Sequence, residues 1–89
     1  MIQQTVTSLP GPEVLARAKR FFAERVPIWA AFPENEGPTW LVLRGQGGEE
    51  VAFGVTEADG ATRVRASTLL YDQPVSRFLS TLPAPAGAA

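Results

Sequence analysis

The chain has 89 residues, a formal net charge of −1, and neither cysteine nor histidine. We therefore expect one small domain without disulfides, Ser-His or Cys-His nucleophile pairs, or zinc sites of the usual Cys/His kind. Positive and negative residues are interspersed, which argues against nucleic-acid binding, and neither a membrane span nor a signal peptide is evident, so the expected location is cytoplasmic.

The N-terminal residues predict an edge strand or a loosely attached arm, followed by a helix. Residues 1–9 alternate only in part between apolar and polar. Pro12 suits the first turn of a helix, and from there to Arg25 apolar residues recur at helical spacing opposite charged ones. Pro27 ends this helix, because proline removes a backbone donor and clashes with the preceding turn.

Two strands are predicted between residues 28 and 48. The apolar segment 28–32 is either a strand or an extended connection at the sheet edge, and the polar segment 33–38, which proline begins and ends, predicts a turn. Residues 39–44 have apolar side chains on both faces, which indicates a strand that contacts other groups on both sides. The glycine-rich segment 45–48 is a hairpin turn, since it lacks the lysine and the following helix of a phosphate-binding loop.

The strongest local signal is Asp59-Gly60, which lies between two alternating runs and predicts a hairpin with a two-residue turn. Its register places Phe53 opposite Ala66 and Val55 opposite Val64, and a slip by one residue would bury charged side chains. The face expected to join the core carries Val51, Phe53, Val55, Val64, Ala66 and Leu70. The opposite face carries Arg63, Arg65 and Tyr71.

A short second helix is predicted to begin near Gln73, with Asp72 as its cap and apolar residues repeating at helical spacing up to Leu82. Residues 1–82 would form a single domain, and the proline- and alanine-rich residues 83–89 a disordered tail. The fold class is therefore α+β: an antiparallel meander of three to four strands covered on one face by two helices. The expected order is (β)-α-(β)-β-β-β-α.

An open sheet face with arginine and aromatic side chains favours protein association over catalysis. We interpret the chain as a non-catalytic interaction module and expect a homodimer through this face, because two copies packed sheet on sheet would cover it. The predicted contacts are Arg63, Arg65, Leu41 and Tyr71. Both arginines could equally be ordinary solvated strand residues that limit edge pairing.

A small-ligand binder is the alternative, with an apolar pocket between the first helix and the sheet near Trp29, Phe32 and Trp40. Aromatic residues of a small domain more often belong to the core. The third hypothesis is that the chain is an enzyme. The acidic residues Glu49, Glu50, Glu57 and Asp59 lie on exposed predicted turns, where no burial would raise a carboxyl pKa for acid–base work.

The hairpin pattern V-x-F-x-V-x-x-x-D-G-x-x-x-V-R-A (residues 51–66) and the closing R-F-L-S-T-L (residues 77–82) resemble the first half of the type III secretion chaperone-like group, which includes the YbjN-type proteins. The resemblance covers residues 12–82. It implies a small, acidic, non-catalytic α+β domain that binds other proteins, commonly as a homodimer. The chain departs from the group by ending after the second helix, where more strands and a third helix usually follow.

Overall fold

The computed structural model describes residues 1–25 and 30–85, which form one antiparallel sheet and two helices. The elements are β1 (Ile2–Thr7), α1 (Gly11–Glu24), β2 (Ala31–Glu36), β3 (Trp40–Gly45), β4 (Glu50–Ala58), β5 (Ala61–Thr68) and α2 (Asp72–Ser80). The strands lie in the order β1-β5-β4-β3-β2. The predicted α+β class is confirmed, and the sheet has five strands because both uncertain segments join it.

The hairpin of β4 and β5 has the predicted turn and register. Asp59 and Gly60 have φ angles of 55° and 76°, which is the left-handed backbone that a two-residue turn of this kind requires. Phe53 is opposite Ala66, and Val55 is opposite Val64. Local turn chemistry and alternation therefore position the central strand of the sheet.

Strand β2 departs from the sequence prediction. The segment 33–38 was expected to be a turn, but β2 continues through it to Glu36 and pairs with β3, with a shift of register between Pro33 and Asn35. A proline is tolerated here because β2 is an edge strand, where the missing N–H faces away from the sheet. The turn itself is shorter and lies at residues 37–39.

The core lies between the two helices and one face of the sheet. Phe22 of α1 is fully buried, and its ring lies 5.8 Å from that of Phe53 and 6.2 Å from that of Tyr71. Phe78 of α2 packs on Phe53 at 5.5 Å. These aromatic contacts join both helices to the sheet. The buried hydrophobic side chains include Val14, Leu15, Ala18, Ala31, Leu41, Leu43, Val51, Val55, Val64, Ala66, Val75 and Leu79.

The end of β5 corrects one predicted face. Leu70 was expected in the core, but it is 65% exposed, whereas Tyr71 is buried. The alternation stops because the strand ends at Thr68 and the chain bends before α2. The sequence prediction made Asp72 the cap, but Asp72 is the first residue of α2 and Tyr71 occupies the cap position, where its side chain makes no capping hydrogen bond to the helix.

Of the residues assigned from sequence to a disordered tail, 83–85 are described and 86–89 lie outside the described residues. The carbonyl of Pro83 accepts hydrogen bonds from the Ser8 N–H and from the Thr7 hydroxyl. The chain that follows α2 is therefore attached to the end of β1.

Candidate functional site on the open face of the sheet

Both helices cover the same face of the sheet, and the opposite face, which we call the open face, carries a mixture of arginine, apolar and small side chains. Its residues follow from strand alternation and from the pairing of the strands. They include Ile2, Gln4 and Val6 of β1, Arg63, Arg65 and Ser67 of β5, Glu50, Ala52, Gly54 and Thr56 of β4, Trp40, Val42 and Arg44 of β3, and Phe32 and Asn35 of β2.

A shallow trough of about 510 Å³ lies at the middle of the open face. The residues Gln4, Arg65, Gly54 and Trp40 follow one another across four neighbouring strands. Gly54, on the central strand, has no side chain, and a Cβ added there would meet nothing within 4 Å. The trough therefore separates an arginine side, which also includes Arg63, from a tryptophan side.

The arginines of the open face differ in their surroundings. Arg44 forms a bidentate ion pair with Glu34, with N–O distances of 2.9 and 2.6 Å, and its guanidinium also lies 3.3 Å from the Glu50 carboxylate. Within residues 1–25 and 30–85, neither Arg63 nor Arg65 has an acidic partner within 4.0 Å. The β5 side of the trough is therefore positively charged.

Ion pairing also changes the ionisation of Arg44 and Glu34. The hydrogen bond from Arg44 lowers the pKa of the Glu34 carboxyl, and the same hydrogen bond raises the pKa of Arg44. Glu34 therefore keeps its negative charge to a lower pH than an unpaired glutamate would. This cluster ties β2, β3 and β4 together at one end of the sheet.

Trp40 forms the other wall of the trough. It is 38% exposed, and its indole lies against the β2–β3 turn, where a Cβ added to Gly37 would come within 2.4 Å of the indole Nε1. The turn therefore has to be free of a side chain at position 37 for the ring to lie there. A partly exposed tryptophan with one face supported in this way is an aromatic surface available for contact.

Two of the four predicted contact residues are not on the open face. Leu41 is fully buried and Tyr71 is 2% exposed, and both contribute to the core beneath the helices. Leu41 pairs with Phe53, so it shares the core face of the sheet. The prediction is correct in placing Arg63 and Arg65 together on the exposed face, and wrong for Leu41 and Tyr71.

The alternative ligand pocket is also misplaced in the sequence prediction. Phe32 is half exposed and pairs with Arg44, and Trp40 pairs with Gly54, so both aromatic residues lie on the face opposite α1. Trp29 lies outside the described residues. The space between α1 and the sheet is occupied instead by buried side chains such as Phe22.

The hydroxyl group of Tyr71 lies close to Glu49 and to the backbone of Gly45. Its hydroxyl lies 3.5 Å from Glu49 Oε1, and burial, followed by the nearby negative charge of Glu49, raises the pKa of the phenol. The hydroxyl also lies where a side chain on Gly45 would be, since a Cβ there would be 2.0 Å from it. Tyr71 thus packs directly on the backbone of β3.

Sequence reasoning missed the contribution of β1 to the site. Gln4 joins the trough because β1 pairs with β5 and brings it beside Arg65. The signal in the sequence was the alternation of Ile2, Gln4 and Val6, which is too short to define a pairing partner.

Among the described residues, no group of three or more acidic side chains is arranged to hold a metal ion. Neither helix of the described parts combines the length and the apolar composition that crossing a membrane requires. Comparison with known proteins gives no match to a family model, to a curated protein or to a solved structure.

Proposed function

We propose that this chain is a non-catalytic protein-interaction module whose open face binds a second copy of itself, sheet on sheet. The observation that carries the proposal is the pair of arginines without acidic partners among the described residues, which faces Trp40 across the trough above Gly54. Arginine and tryptophan are enriched among the residues that dominate protein interfaces. Exposed apolar side chains at Ile2, Val6 and Phe32 extend this surface.

The arrangement is self-complementary for one particular two-fold axis. Because β4 is the central strand, Arg65 on β5 and Trp40 on β3 lie on opposite sides of it. A two-fold axis parallel to β4, between two facing sheets, places the arginines of each copy over the Trp40 of the other. An arginine over an indole face gains a cation–π interaction, whereas the perpendicular axis would set arginines over arginines.

The test is charge reversal of both arginines, Arg63→Glu with Arg65→Glu. Both side chains are exposed, so the variant should fold normally, while self-association measured by sedimentation equilibrium should weaken by about tenfold or more. The matched control is Arg20→Glu with Arg25→Glu, which makes the same change of net charge on α1 and should leave association unchanged. Undiminished association of the first variant would exclude this surface.

A small-molecule binder remains the second candidate, now located at the trough. The space of about 510 Å³ between Trp40 and the two arginines suits a planar, negatively charged molecule. Native mass spectrometry of protein purified from its own host would then give a monomer with an adduct that is lost on denaturation. A dimer without adduct favours association.

The resemblance to the type III secretion chaperone-like group agrees with the association proposal, since that group consists of protein-binding domains. It suggests a chaperone-like role in which the open face holds another polypeptide. A second polypeptide that co-purifies in place of a second copy would support that role.

A further inference from the structure

The two edges of the sheet differ in how they resist pairing with another strand. The β2 edge has a proline at position 33, an irregular register and the charged residues Glu34 and Glu36. These are the features by which proteins block edge-to-edge association. Strand β1, at the other edge, reads Ile-Gln-Gln-Thr-Val-Thr and contains no charge, proline or irregularity of register.

The outward backbone groups of β1 follow from its pairing with β5. Met1 and Thr68 exchange both backbone hydrogen bonds, since the amino group of Met1 donates to the Thr68 carbonyl and the Thr68 N–H donates to the Met1 carbonyl. In an antiparallel pair, bonded and non-bonded residues alternate. The N–H and C=O groups of Ile2, Gln4 and Val6 therefore point away from the sheet.

The next outward group along the strand is already bonded. The Ser8 N–H donates to the carbonyl of Pro83, which lies outside the edge at that point. This contact supports the alternation derived above. Within residues 1–25 and 30–85, no hydrogen bond occupies the outward groups of Ile2–Val6, so this segment is the part of the edge open to a new strand, and both Ile2 and Val6 are exposed.

We propose that the β1 edge pairs with the β1 edge of a second copy in an antiparallel register centred on Gln4. Ile2 then faces Val6 of the second copy, Gln4 faces its own equivalent, and Val6 faces Ile2. Each of these pairs exchanges two backbone hydrogen bonds, so every outward group of the segment is satisfied. Pro83 lies beyond the segment and is not displaced.

Self-complementarity identifies a second copy as the occupant. The side chains of Ile2 and Val6 are on the same face, so the two-fold register brings apolar side chains together at both ends of the segment. Gln4 meets Gln4, whose side chains can hydrogen-bond to each other, and no like charges are opposed. The backbone groups at the edge, on which this inference rests, are not used by the open-face proposal.

The absence of cysteine from the chain allows a direct test, since a single substitution creates a unique thiol. Gln4→Cys places two thiols opposite each other across the two-fold axis, at a Cα separation of about 5.5 Å, within the range for a disulfide. Gln4→Cys is treated with a short bis-maleimide. Two variants with a cysteine at another exposed position are treated in the same way as controls: Asn35→Cys on the β2 edge and Thr56→Cys on β4. The expected result is a covalent dimer of Gln4→Cys, with Asn35→Cys remaining monomeric.

The outcomes separate the two proposals. Cross-linking of Gln4→Cys alone supports the edge contact and argues against packing of the open faces. Cross-linking of Thr56→Cys without Gln4→Cys overturns the edge proposal and supports face-to-face packing, because β4 runs along that axis. Cross-linking of no variant, or of Asn35→Cys equally with Gln4→Cys, also overturns the edge proposal.

A second pair of variants tests the backbone hydrogen bonds. Gln4→Pro removes the outward N–H and keeps the ladder to β5, whereas Gln4→Ala removes the side chain and keeps the N–H. If far-UV circular dichroism shows both to be folded, dimerisation of Gln4→Pro through the edge should be weakened by about tenfold or more relative to Gln4→Ala. Equal association of the two folded variants would contradict the proposed pairing.

Discussion

At the scale of single residues, the clearest constraint is the close approach of Tyr71 to the backbone of β3. The hydroxyl occupies the position of a side chain at Gly45, and Glu49 Oε1 would lie 2.7 Å from the same Cβ. A glycine is thus required at this position by packing rather than by a positive φ angle. Gly54 is the contrasting case, because a Cβ there enters open space over the trough.

Gly45→Ala is therefore expected to destabilise the protein by about 1–3 kcal/mol, the usual cost of overpacking. Chemical denaturation measures this cost. In the Tyr71→Phe background, which lacks the hydroxyl, the same substitution should cost less, and a double-mutant cycle would report the coupling. Gly54→Ala is the control and should be close to neutral. Equal costs of Gly45→Ala in both backgrounds would contradict the assigned clash.

Among the elements, the edge strand β2 is attached by its backbone pairing with β3, and exposed ion pairs add to that attachment. Strand β2 is polar over most of its length, and Arg44 of β3 reaches across to Glu34 and back to Glu50 of β4. Lys19 of α1 forms a second ion pair with β2, in which its Nζ lies 2.8 Å from Glu36 Oε1. These ion pairs supply part of the attachment that the few buried side chains of β2 do not.

Acid should weaken this attachment. The pKa of Glu34 is lower in the folded protein than its ordinary value of 4.5, so its contribution to stability is present above about pH 4.5 and is lost as the pH falls through the lowered pKa. Glu34→Gln should therefore reduce the loss of Tm on acidification below pH 4.5. High salt should reduce the difference between the variant and the parent, because the pair is exposed.

Glu24→Gln is the matched control for acidification, since Glu24 is exposed on α1 and has no ion pair within the described residues. It should retain the acid dependence of the parent protein. Identical acid dependence of Glu34→Gln and Glu24→Gln would show that the Arg44 cluster adds nothing to the stability of the sheet.

At the scale of the whole molecule, one aromatic cluster holds the helices on the sheet. Phe22 contacts the rings of Phe21, Phe53, Tyr71 and Phe78, and so connects α1, β4 and α2. A domain of this length buries a modest core and has no disulfides to support it. Removal of one central ring should therefore affect the entire fold.

Phe22→Ala is expected to cost about 3–5 kcal/mol of unfolding free energy, from lost burial and the resulting cavity. This is a large fraction of the roughly 5–15 kcal/mol of a typical domain. Urea denaturation would show a large fall of the midpoint in a single transition. Phe32→Ala, on the open face, is the control and should shift the midpoint little. Similar shifts for both variants would contradict the assigned core.

The features of this fold that could be predicted from the sequence are those that depend on local chemistry. Asp59-Gly60 set the turn of the central hairpin, and alternation then placed Arg63 and Arg65 on one face and Val64 on the other. The first helix could likewise be predicted from the helical spacing of its apolar residues. These predictions hold because turn geometry and side-chain period act over a few residues.

Which face of each strand became part of the core depended on packing between distant elements. The segment Trp40–Leu43 has apolar side chains on both faces of its strand, so its sequence does not indicate which face meets the helices. Docking of the helices buried Leu41 and left Trp40 exposed, and the bend after Thr68 exchanged the expected positions of Leu70 and Tyr71. The pairing of β1 with β5 joins residues 55 to 65 positions apart, and no local pattern specifies such a contact.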